Sequence, residues 1–260
     1  MWIDAGVNLT NSRFHGKVDE VIENARRAGV QHCIVIATSV AEAEAAIALC
    51  QQFPHYLKTT AGIHPHDAGQ VKASDWQLLR EFLQHPDVVA VGECGLDFNR
   101  NYTPQTEQLA VFEKQLELAA MTQMPVYLHE RDAQPQVLQL LDKFGDKLPQ
   151  RLSHCFTGDR AALAEYLRRD HYIGITGWVC DERRNGPLLD ALTLIPDNRL
   201  LLETDAPFLL PRSIRPRPKM NEPAWVAEVG RVVAQQRQVE PEVLAQQTSA
   251  NSQRFFQLST

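Results

Sequence analysis

Val88-Val89-Ala90-Val91-Gly92-Glu93 is a short apolar run that ends on a carboxylate. Three other runs end in the same way. Pro125-Val126-Tyr127-Leu128 leads to His129, Arg151-Leu152-Ser153 to His154, and Leu200-Leu201-Leu202-Glu203-Thr204 to Asp205. Between successive endings there is chain enough for one or two strand-and-helix units. If the runs are parallel strands, their polar ends converge on one rim. Two imidazoles and two carboxylates on one rim make a site for a divalent metal.

Working outward, eight short strand candidates appear, at about 2–8, 31–38, 57–63, 88–93, 125–129, 151–155, 172–176 and 200–204. Most are apolar, too short for helices and bounded by turn residues. Helices are expected between them. Lys17–Ala28 carries Val18, Val21, Ile22 and Ala25 on one face, with Gly29 as a stop. Val40–Phe53 is rich in Ala and Glu. Ser74–Leu83 opens on a Ser cap. Residues 104–123 follow Thr103 as N-cap, with Pro104 in the first helical position. Asp159–Arg169, Pro223–Gln236 and Pro241–Gln247 read as further helices.

Strands alternating with helices imply a parallel sheet with right-handed crossovers. Eight such units predict an α/β fold, a single (β/α)8 TIM barrel over residues 1–260 with a helical C-terminal tail. An open doubly wound sheet usually carries a Gly-rich phosphate loop after its first strand. Gly6-Val7-Asn8-Leu9-Thr10 fits neither that loop nor the P-loop. In barrels the active site lies at the C-terminal ends of the strands, where the ligand candidates fall.

The length of 260 residues suits one such barrel, which typically takes about 250. A net charge of −6 argues against a protein that coats duplex DNA indiscriminately, while leaving room for a local basic patch. Five cysteines, none in a C-x-x-C pair, favour free thiols in a reducing compartment. No secretory signal and no apolar stretch near 18 residues is present. A cytoplasmic protein with no membrane partner is expected.

Glu203 and Asp205 stand two residues apart, so on an extended chain they point to the same face. Two buried carboxylates need a cation or a shared proton. Asp205 as a metal ligand with Glu203 hydrogen-bonding beside it meets that need; Asp205 as a helix N-cap before Pro207 is the alternative. His64-Pro65-His66 closes the third strand on a stiff turn and either binds metal or holds phosphate, His66 being the favoured functional group. Arg212-Ser213-Ile214-Arg215-Pro216-Arg217-Pro218-Lys219 places four cations in eight residues, and its prolines exclude a regular helix. Arg215, Arg217 and Lys219 on such a loop suit phosphate contacts, or serve solubility. Phe98 and Trp178 are candidate stacking aromatics.

Five motifs carry a family resemblance: Gly62-Ile63-His64-Pro65-His66, Gly92-Glu93-Cys94-Gly95-Leu96-Asp97, His154-Cys155-Phe156-Thr157-Gly158, Glu203-Thr204-Asp205-Ala206-Pro207 and Asn221-Glu222-Pro223-Ala224. Together they resemble the TatD family of metal-dependent deoxyribonucleases, in the right order over nearly the whole chain. That resemblance implies a TIM barrel, a magnesium requirement and 3′→5′ exonuclease activity on single-stranded DNA and RNA. It also implies a cytoplasmic monomer linked to repair of oxidative DNA damage and degradation of DNA fragments. Metal binding maps onto Glu93, His129, His154 and Asp205. Most of the wider family begins Asp-x-His-x-His; here Asp4 is followed by Gly6 and Asn8 in the histidine places. Glycine cannot ligate and Asn8 offers only a neutral carbonyl. The remaining ligands make a more open site that suits Mg2+, with Mn2+ or Zn2+ as substitutes.

The expected chemistry is metal-assisted phosphodiester hydrolysis. Asp205 takes the proton of the attacking water, Glu93 anchors metal, and His66 with Arg131 or the basic loop offsets charge on the phosphate. The rivals are a barrel hydrolase of amides or lactones, a D-aminoacyl-tRNA deacylase, and a catalytically weak nucleic-acid-binding barrel.

Overall fold

The computed structural model describes residues 1–258. Its strands are β1 (Trp2–Val7), β2 (Val30–Val35), β3 (Leu57–Ala61), β4 (Val88–Asp97), β5 (Val126–Arg131), β6 (Arg151–Ser153), β7 (Tyr172–Ile175) and β8 (Leu200–Leu202). Its helices are α1 (Val18–Arg27), α2 (Val40–Gln52), α3 (Ala73–Phe82), α4 (Gln105–Thr122), α5 (Gln134–Phe144), α6 (Arg160–Leu167), α7 (Gly186–Leu192), α8 (Val226–Arg237) and α9 (Pro241–Phe256). The strands stand in one parallel sheet in sequential order, β1 to β8, the order of a (β/α)8 barrel. The chain divides into two compact units, Met1–Val35 with Cys155–Thr260, and Ile36–His154.

In the first unit, β1 and β8 meet edge to edge. Asp205 N donates to Gly6 O at 2.8 Å and Asn8 N to Ala206 O at 2.8 Å. The strands are buried on both faces, which is why they read as unbroken apolar runs. Helix α9 closes this unit's core with Leu244, Phe255 and Phe256, and its buried Asn251 donates to the carbonyls of Asp197 and Leu200.

The second unit holds β3 to β6 with α2 to α5. Strand β4 runs four residues past its expected end, through Glu93 to Asp97. Gly92 (φ 142°) and Gly95 (φ 147°) permit this, because both adopt backbone angles closed to L side chains. Space demands glycine as well: a Cβ on Gly92 would lie 2.3 Å from Tyr127 O, and one on Gly95 1.9 Å from His129 O. Glu93 is therefore carried inside the strand and not at its tip.

Helix starts differ in detail from the sequence reading. Thr103 does not cap α4; its hydroxyl donates to His66 O at 2.9 Å, and Pro104 takes the N-cap place. Helix α3 begins at Ala73, before Ser74, and the Asp75 carboxylate accepts from Lys72 N. Helices α5 and α7 fill two of the segments where helices were expected but not delimited, and Pro135 and Pro187 stand in their first turns, where a proline removes no hydrogen bond. Pro223–Trp225 is a 3-10 turn that leads into α8.

Gly95→Ala should therefore cost about 2–4 kcal/mol, combining a forbidden angle with a backbone clash. Gly16→Ala, at φ 71° but in open space, should cost only about 1–2 kcal/mol. Urea denaturation midpoints test the difference; equal costs would remove the clash from the argument.

Candidate metal centre

The second unit gathers four histidines around two carboxylates. Glu93 is 5 % exposed. Its Oε1 lies 2.8 Å from His129 Nδ1, 3.5 Å from His64 Nε2 and 3.7 Å from His154 Nε2. Burial pushes the Glu93 carboxyl up, but its interactions with His64 and His154 and the hydrogen bonds from His129 and His64 outweigh it. The group stays ionised well below the ordinary carboxylate range. His64, His129 and Glu93 place donor atoms within 4.8 Å of one another.

These imidazoles are not equivalent. His64 Nδ1 accepts from His66 N at 3.1 Å, so in neutral His64 the proton sits on Nε2, facing Glu93. Burial, with the nearby His129 charge, pushes His64 down to about 4, so it is neutral at pH 7. A protonated Nε2 is a hydrogen-bond donor and not a ligand. His154 is the opposite case. Its Nδ1 lies 2.8 Å from the buried Tyr127 hydroxyl, and when Nδ1–H donates to that oxygen the Nε2 lone pair is left toward Glu93.

Asp97, 3 % exposed, supplies the second carboxylate. Its Oδ2 lies 2.7 Å from His66 Nε2 and 3.4 Å from His129 Nε2, and its Oδ1 accepts from Asn99 N and Arg100 N. Burial raises this carboxyl too, yet hydrogen bonds from His129, His66 and Arg100 drive it far below its ordinary value. His129 thus lies between two carboxylates. Burial disfavours its charge, but Asp97 and Glu93 win and hold it up at about 9.

Two buried glutamines of α4 fix the frame. Gln115 accepts from Ile63 N at 2.7 Å and donates to Ile63 O at 2.9 Å, just before His64. Gln108 accepts from Asp97 N at 2.8 Å and donates to Asp97 O at 3.1 Å. Arg131 is half-buried at the end of β5, and its carbonyl accepts from Phe98 N.

The first unit holds the remaining acidic candidates. Asp205 is half-buried, and its Oδ1 accepts from Asn8 Nδ2 at 3.0 Å. Its carboxylate lies within 4.8 Å of Cys155 Sγ. Asp205 has φ 53°, so the chain is not extended there, and the alternation that put Glu203 and Asp205 on one face does not apply. Nor does a helix begin at Asp205; Ala206-Pro207 is a cis peptide in a tight turn. Glu203 is fully buried, its Oε2 accepting from Cys155 N at 3.1 Å, and it lies so close to Gly174 that a Cβ there would sit 2.2 Å from Oε1. Asp4 braces the turn: its carboxylate accepts from Thr204 N at 2.8 Å, from the Thr204 hydroxyl and from Gly6 N. Burial, eased by those bonds, pushes Asp4 up to about 8.

In the basic loop, Arg215, Arg217 and Lys219 are exposed. Arg215 Nη1 donates to the carbonyls of Arg212 and Ile214, while Arg212 pairs with Asp181 and Glu182. Trp178 carries the Arg184 guanidinium 3.5 Å over its ring. Sequence reasoning passed over Asp97, His64 as a donor to Glu93, Tyr127 and Asp4. Glu93, Gly95 and Asp97 alternate along one strand face, a signal that shows only once β4 is seen to run on to Asp97.

A parallel (β/α)8 fold with buried carboxylates and imidazoles at its strand ends defines a hydrolase of the TIM-barrel kind. This chain belongs to the TatD-related DNase family, whose model matches residues 3–257. It is 48% identical over 256 residues to a Citrobacter rodentium protein named 3′-5′ ssDNA/RNA exonuclease TatD, covering 97% of each chain. A protein of the same name from Edwardsiella piscicida is 46% identical over 259 residues, covering 99% of this chain and 100% of that one. The solved TatD homologue YJJV of Escherichia coli K12 superposes with a TM-score of 0.90 at 27% identity, covering 99% and 98% of the two chains. A TatD-family hydrolase from Entamoeba histolytica shares the fold at the same TM-score and 22% identity.

Replacing Asp97 with Asn should lower the His129 pKa from about 9 toward 6.5, read by NMR titration of the ring in chelator-treated protein. An unmoved pKa would leave Glu93 as its only support. Because the folded value is raised, the stability that this pairing contributes is full below pH 6.5 and is lost as pH rises through about 9.

Proposed function

We propose that this protein is a metal-dependent exonuclease that removes nucleotides from the 3′ ends of single-stranded DNA and RNA. What carries the reading is the Glu93–His129–His154 cluster, in a chain nearly half identical over its whole length to proteins named for that activity. The residues fit a divalent cation. In the metal-free protein the His129 imidazolium stands between the two ionised carboxylates; a cation bound there would displace its proton and take over that charge, and His154, with Nδ1–H donated to Tyr127, would offer its Nε2 lone pair beside the same carboxylate oxygen. Glu93, His129, His154 and Asp205 are the proposed ligands, a mixed oxygen and nitrogen set that takes Mg2+ and accepts Mn2+ or Zn2+. When bound, the cation polarises the phosphate and acidifies a water.

The chain's own groups do the rest. Asp205 accepts the proton of the attacking water; Asn8 holds its other oxygen and so orients it. Glu203 acts by fixing the Cys155 backbone. His66, kept in place by Asp97, donates to the phosphate with Arg131. Arg215, Arg217 and Lys219 draw the strand in, which a net charge of −6 makes a local task. The whole chain, 1–260, works as one hydrolase domain. A cytoplasmic monomer acting in repair of oxidative DNA damage and degradation of DNA fragments is the setting that this activity fits.

The test uses a single strand labelled at either end, with magnesium or with EDTA. Stepwise shortening from the 3′ end, abolished by EDTA, is expected. Glu93→Gln and His154→Ala should each cut the rate by about 100-fold or more with an unchanged circular dichroism spectrum. Full activity in both variants would sink the site; retained binding without cleavage would sink the enzyme.

A further inference from the structure

Phe208 is an apolar ring left 45% exposed three residues after Asp205. Three residues of chain span no more than about 11 Å, so Phe208 and the proposed catalytic Asp205 share one short turn. Its mount is over-determined. Phe208 N donates to Asp205 O at 3.0 Å, and Phe208 O accepts from Asn221 Nδ2 at 2.5 Å. Asn221 is fully buried and also donates to Thr204 O at 3.0 Å, while Thr204 is gripped by Asp4. The ring is presented by a backbone that cannot easily retreat, so the ordering cost of binding is met in folding.

A cation stands beside it. Arg13 Cζ lies 5.8 Å from the ring centroid, within cation–π reach. Arg13 is exposed on a turn fixed by Asn11, whose side chain accepts from Arg13 N and whose N–H donates to Asn8 O. Asn8 in turn holds Asp205. Ring, guanidinium and carboxylate are thus tied to one hydrogen-bonded frame. Lys17 adds a second exposed cation on the same loop.

We infer that Phe208 and Arg13 form a stacking platform for an unpaired nucleobase of the substrate strand, Arg13 meeting the adjoining phosphate. The inference rests on the nuclease reading above and gives it a substrate contact. An aromatic face stacks on any base, so the platform selects single strands without selecting sequence. A base held in a duplex cannot reach it. Arg184 packs 3.5 Å over the Trp178 ring, whereas Arg13 stands off at 5.8 Å from the Phe208 centroid.

The experiment pairs protein and substrate changes. Wild type, Phe208→Ala, Phe208→Trp and Arg13→Ala are assayed on single strands carrying one abasic residue at successive positions from the 3′ end. Binding of the same strands is followed by anisotropy in EDTA. Phe208→Ala should raise KM and Kd on the intact strand by about 5- to 150-fold, the range of one base–aromatic stack. Phe208→Trp should restore both. At one position the abasic residue should cost wild type as much and Phe208→Ala little more. Additive losses at every position, or an unchanged KM and Kd in Phe208→Ala, would overturn the platform. A wild type that binds through Phe208 without cleaving would overturn the nuclease reading and keep the platform; one that neither binds nor cleaves would overturn both.

Discussion

Glu93 brings a negative charge into a buried position, and the second unit is arranged around that fact. An ionised carboxylate without partners costs several kcal/mol or more to bury. Here His129 faces it as a cation and His64 as a neutral donor. His129 remains charged because Asp97 stands on its other side, and Asp97 remains ionised because His66, Asn99 and Arg100 donate to it. Each group is held in its protonation state by the next. The glycines at 92 and 95 belong to the same arrangement, since only a chain without Cβ atoms could carry Glu93 and Asp97 so close to β5.

Much of this was legible in the sequence. Eight apolar runs announce eight parallel strands because strands buried on both faces have no polar side to alternate with. Glu93, His129 and His154 follow from the ends of those runs. The extent of β4 was not legible: apolarity stops at Gly92, while the strand continues through glycines whose angles no propensity scale predicts. Asp97 was missed for that reason. Strict alternation does not relate Glu203 to Asp205, because Asp205 is left-handed where extension was assumed, yet both carboxylates lie beside Cys155. Tyr127 reads as one more strand aromatic until its hydroxyl is seen against His154.

Asn8 has two readings. As sequence it marks a ligand lost, an amide where the wider family carries histidine. In the structure it is a donor to Asp205 Oδ1 and to Ala206 O. An amide does not titrate, so it holds that carboxylate in the same orientation across the pH range in which an imidazole would change charge.

Gln108 and Gln115 lie two helical turns apart, roughly 10 Å along α4. Each clasps both polar atoms of one backbone unit, Asp97 and Ile63. A helix hardly changes length, so α4 acts as a caliper whose jaws set the separation between the histidine-bearing turn and the end of β4. The tolerance of the centre is then inherited from a helix that contributes no chemistry to it.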